Sequence, residues 1–90
     1  MIAAIEMRVS IPSRPHEATD WNKFAQLLKT FFQGQVQKVE EIKGGYLLRY
    51  ILDELLPEED FYARQNDLSK ELFYKLGVLV DSFNLDFEIT

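Results

Sequence analysis

Cysteine is absent from the 90 residues, which excludes disulfides, thiol nucleophiles and thiolate metal sites together. Histidine occurs once, at His16, so no pair of imidazoles exists to hold a metal ion, and no cofactor is implied. No apolar run approaches the roughly 18 residues that cross a bilayer, and no membrane partner is expected. The chain does not open with a basic stretch followed by an apolar core, so no secretion signal is read and a cytoplasmic location is expected. Bases are outnumbered, 10 against 15 acids, and the net charge of −5 opposes binding to a phosphate backbone. No internal repeat or low-complexity stretch occurs.

What remains has the balance of an ordinary folded domain, with 47% hydrophobic and 28% charged residues. At this length one hydrophobic core is expected, spanning residues 1–90. The charge is uneven. Residues 1–52 hold seven bases against five acids, net +2, whereas residues 53–90 hold three bases against ten acids, net −7. Such asymmetry fits a partner with a basic surface, or solubility alone.

Ile5 to Ile11 alternates apolar and polar residues, the period of a half-buried strand, and Pro12 ends it. Ser13 to Ala18 is a proline-bracketed loop. Thr19 or Asp20 then caps a helix whose Trp21, Phe24, Ala25, Leu28, Phe31 and Phe32 recur at the helical period, with Gly34 as its stop. Val36–Lys43 and Tyr46–Asp53 flank Gly44-Gly45 and read as a hairpin with a two-residue turn. Leu55 to Tyr62 reads as an acidic connection tipped with aromatics, or as the first turns of a long helix with Pro57 near its start. A helix is clear from about Asp67, with Leu68, Leu72, Leu76, Leu79, Val80 and Phe83 as its stripe. Phe83 to Ile89 alternates again, as a strand burying Leu85, Phe87 and Ile89. The order β-α-β-β-α-β predicts an α+β, ferredoxin-like fold: a four-stranded antiparallel sheet with both helices on one face.

That topology hosts many chemistries, so a site has to be argued from residues. The loop after the first strand, Ile-Pro-Ser-Arg-Pro-His, has no glycine to bring backbone N–H groups onto a phosphate in the manner of acylphosphatases. A base-stacking platform would need aromatics where Gly45 and Leu47 stand, so no nucleic acid is expected as a partner. Arg14 and His16, in the Ser13–His16 loop before a helix N-terminus, could gather an anion, and the same loop also reads as polar connection.

Two surfaces stand out. A Gly44-Gly45 turn would oppose Lys43 to Tyr46, Ile42 to Leu47, Glu40 to Arg49 and Lys38 to Ile51. Val36, Ile42, Leu47 and Ile51 then share the open sheet face, with Val39, Tyr46, Leu48, Tyr50 and Leu52 toward the helices. Four clustered aliphatics, each forgoing roughly 1.5–3 kcal/mol of burial if exposed, call for a cover such as a twofold homodimer. A one-residue bulge would swap the faces. The second surface is Glu58, Glu59 and Asp60 followed by Phe61 and Tyr62, where acids would steer a basic protein partner and aromatics would anchor it. The expected function is a small acidic, non-enzymatic interaction module: an adaptor, an inhibitor or immunity-type protein, or a phage-style antagonist of a larger complex. The alternative is a ligand-sensing or enzymatic domain using Arg14, His16 and Arg49.

Overall fold

The computed structural model describes residues 1–11 and 20–88. Its elements run β1 (Ile2–Ser10), α1 (Trp21–Phe31), β2 (Gly34–Ile42), β3 (Gly45–Leu56), α2 (Glu58–Leu76) and β4 (Leu79–Phe87). All three strand pairings are antiparallel and the sheet order is β2-β3-β1-β4, the ferredoxin-like α+β arrangement. The alternation in β1 does what its period requires: Ile5, Met7 and Val9 are buried, while Glu6 and Arg8 point to the open face. Phe24 and Leu28 of α1, Phe32 after it, and Phe61, Leu68 and Leu72 of α2 close over the buried Leu48, Tyr50 and Leu52 of β3.

Asp20 caps α1, its carboxylate accepting from the backbone N–H of Asn22 at 3.0 Å and of Lys23 at 3.2 Å. Gly34 does not stop this helix. Phe32 is already extended, and Gly34 is the first residue of β2, where a β-carbon would collide with the Ile51 carbonyl oxygen. The hairpin turn is Lys43-Gly44, one residue earlier than Gly44-Gly45. Gly44 takes the left-handed conformation, at φ 85°, and Gly45 is already in β3 because its backbone passes against the Val9 carbonyl. The register slides with the turn: Ile42 faces Gly45, Glu40 faces Leu47 and Lys38 faces Arg49. A bulge between Val36 and Lys38 then rotates the start of β2 by one residue, so Val36 pairs with Tyr50 and packs against the core.

The 58–66 segment is helix. Pro57 stands at the N-cap, its carbonyl accepting from the N–H groups of Asp60 and Phe61, and its fixed φ suits a helix entry. Glu58, Glu59 and Asp60 fill the first turn, where negative charge complements the helix dipole. Gly77 ends α2 at φ 67°, its N–H bonding the Phe73 carbonyl while Val78 N–H bonds that of Leu72. Leu79, Val80 and Phe83 therefore lie on β4 and not on a helical stripe. Phe83 and Leu85 pack against the core, whereas Phe87 stays 44% exposed. Ile89 lies outside the described residues.

Candidate functional site

Beyond Ile51, β3 leaves its regular pairing with β1. Ala4 faces Ile51, but Ile2 faces Leu56, so the stretch 52–55 makes an excursion. It is pinned on the other side, where Asp53 N–H donates to the Gln33 carbonyl at 3.0 Å. The excursion brings Asp53 and Glu54 beside the first turn of α2. With the C-terminal turn of α1 they wall an open cleft of about 550 Å³, lined by Lys29, Phe31, Phe32, Gln33, residues 52–57, Asp60 and Arg64. Arg64 Nη1 donates to the Phe31 carbonyl at 2.9 Å, a cation placed on the C-terminus of α1.

Asp53, Glu54, Glu58, Glu59 and Asp60 are all exposed at this end of the molecule. None of the five reaches a base within ion-pairing distance among the described residues. The cluster is a solvated acidic rim. Among the described residues no group of three or more histidines and carboxylates is arranged to hold a metal ion.

The aromatics beside the acids separate. Tyr62 is 53% exposed and available to a partner. Phe61, expected as an anchor at an exposed tip, is 1% exposed. It stacks on Phe32 at 5.5 Å between centroids and meets Phe83 edge-on at 5.3 Å, so it belongs to the core. A helix starting at Glu58 turns residue 61 inward with Leu68 and Leu72, which a loop would not have done.

The open sheet face also differs from expectation. Val36 is on the other side, leaving Ile42, Leu47 and Ile51 partly buried there. Arg49 does not pair with Glu40. It lies 3.6 Å from Glu6 and forms a close ion pair and hydrogen bond with Asp86, three strands contributing to one charged network. Glu40 pairs with Lys38 at 3.5 Å. Charges thus interleave with the three aliphatics. Arg14 and His16 lie outside the described residues.

Among the described residues Tyr50 carries the one shifted titration. It is fully buried and its hydroxyl donates to the Phe32 carbonyl at 2.5 Å. Burial, with the Asp53 carboxylate adding to it, pushes the phenol up to about 12. The Tyr50 and Arg64 ties, both onto carbonyls at the end of α1, had no signal in the sequence, because each bridges elements distant along the chain.

No helix among the described residues is long and apolar enough to cross a membrane. Compared with family models, curated proteins and solved structures, the chain matches none of them.

Proposed function

We propose that this protein is a small acidic, non-enzymatic interaction module of the cytoplasm, which docks a basic surface of a protein partner through the end of the molecule where β3 enters α2. The supporting observation is the rim itself: five exposed carboxylates from two elements, none ion-paired among the described residues, with Asp53, Glu54 and Asp60 lining a cleft that Lys29 and Arg64 also border. Their mutual repulsion is relieved when a basic surface arrives, which raises the association rate at low salt. Tyr62 stands one turn along α2 and supplies desolvated contact area. An inhibitor, an immunity-type protein or an antagonist of a larger complex would use such a surface.

The test is a side-by-side capture from lysate with the wild type and a Glu58→Lys/Glu59→Lys/Asp60→Lys variant. The expected outcome is one defined protein retained by the wild type and lost by the variant. Its association should slow as salt rises, and Tyr62→Ala should mainly speed dissociation. Retention of the same proteins by both would refute the reading.

A further inference from the structure

The two outer strands of the sheet are finished differently. On β2, Lys38, Glu40 and Glu41 are exposed and a bulge breaks the edge, two devices that discourage another strand from pairing. On β4 the run from Ser82 to Phe87 contains no lysine, no proline and no added residue of its own, the extra residue opposite Asp86–Phe87 being Ala3 of β1, and no described strand lies beyond it. The strand's one added residue, Asp81, falls nearer the beginning, where Val80 faces Val9 and Ser82 faces Arg8. Above this edge lies a groove of about 330 Å³ between α2 and β4, bordered by Tyr62, Phe83, Leu85 and Phe87. Tyr62 and Phe73 are eleven residues apart, within about 20° of one another on the helix, and are 53% and 46% exposed.

We infer that β4 pairs antiparallel with β4 of a second copy of this chain, about a twofold axis at Asn84, giving one continuous eight-stranded sheet. The strand's own side-chain pattern selects the occupant and the register. A twofold axis normal to the sheet keeps each residue on its face, so opposed residues share parity. Centred on Asn84, Phe83 faces Leu85 of the second copy, and Phe87 faces the bulged Val80–Asp81 pair, with Val80 on the helix-covered side. On the open side Asn84 meets itself, and Ser82, a hydroxyl donor, faces the Asp86 carboxylate. Apolar groups thus oppose apolar groups, and no two acids are directly opposed. A nine-residue edge is only about 30 Å long, whereas a stable interface buries about 800 Å² on each partner. The exposed flank of α2 carrying Tyr62 and Phe73 supplies the additional area. This contact shares Tyr62 with the proposed docking surface but is built on β4 rather than on the acidic cleft, and it responds to salt with the opposite sign. Two copies of net charge −5 repel, so added salt tightens self-association, whereas it weakens docking to a basic partner.

The chain has no cysteine, which makes a cross-link test clean. Directly opposed residues lie about 4.5–5.5 Å apart between Cα atoms, inside the range a disulfide spans. Asn84→Cys should oxidise to a covalent dimer. Ser82→Cys alone should not, and Ser82→Cys mixed with Asp86→Cys should. By light scattering the wild type should move from 10.6 kDa toward twice that mass as concentration and salt rise. Phe87→Lys should weaken the association about tenfold or more, with its circular dichroism unchanged. A wild type that stays monomeric at millimolar concentration would overturn the inference. So would Ser82→Cys cross-linking as fast as Asn84→Cys, which is the signature of random collision; this readout does not depend on Phe87→Lys folding.

Discussion

The α1–β2 flank and the α2–β4 flank cover the same sheet by different means. On the first, polar ties close the structure: Asp20 caps α1, Tyr50 holds the Phe32 carbonyl, and Asp53 N–H holds that of Gln33. Its outer strand shows charge to water. On the second flank the contacts are mainly aromatic. Phe61 is the joint, touching Phe32 on one side and Phe83 and Tyr62 on the other. The rings do not end at the core boundary: Tyr62, Phe73 and Phe87 remain about half exposed along the outer strand. Polar ties saturate when their donors and acceptors are used, so that flank is finished. Apolar packing has no such end point and leaves area that another surface can bury.

Phe61 joins the two flanks, so its loss should have the largest effect. Phe61→Ala would remove the ring shared by both flanks, and an internal aromatic truncated to alanine costs about 3–5 kcal/mol. Chemical denaturation should show a loss in that range. A loss under about 1 kcal/mol would mean that the flanks do not meet through this ring.

A smaller effect is expected on the tied flank alone. Tyr50→Phe leaves the Phe32 carbonyl buried without its donor, at a cost of about 1–3 kcal/mol. The same phenol makes the wild type sensitive to alkali. Its folded value, about 12, lies above the ordinary value of 10.0, so its contribution is complete below pH 10 and is lost as pH rises toward 12. The expected slope is about 1.4 kcal/mol per pH unit in that window. Tyr50→Phe should flatten it, and equal slopes in the two proteins would remove Tyr50 as the cause.

The smallest effect sharpens the contrast between edges. Lys38→Val on exposed β2 should change monomer stability by no more than about 0.5 kcal/mol. It should nevertheless raise concentration-dependent association, because it removes an edge-protecting charge. If sedimentation shows no change, the bulge at Val36 already suffices to blunt β2.

Much of the fold was legible because short-range periodicity carries it. Ile5 to Val9 alternates, α1 has one apolar stripe, and Gly44 marks a reversal, so six elements in order left few topologies. Boundaries were less legible. Leu76-Gly77 is a helix stop visible in the residues, yet Leu79, Val80 and Phe83 extend the apolar spacing beyond it, and period alone cannot separate the strand that follows from the helix. The acidic rim was legible as composition, but its cleft was not, since Asp53 and Glu54 reach it only through the β3 excursion.

By itself the sequence determined which segments are helix and which are strand over most of their length, where the excess of acid lies, and that no thiol or paired-imidazole chemistry is available. Those properties depend on residues close together along the chain. The tertiary structure decided which side of each element matters. A bulge moved Val36 to the core, a helix starting at Glu58 turned Phe61 inward and left Tyr62 out, and Arg49 found Asp86 rather than Glu40. Each of these depends on a one-residue step or on a neighbour far along the chain. A one-residue step reverses the face of a strand or turns a helix by about 100°, so local pattern cannot decide it.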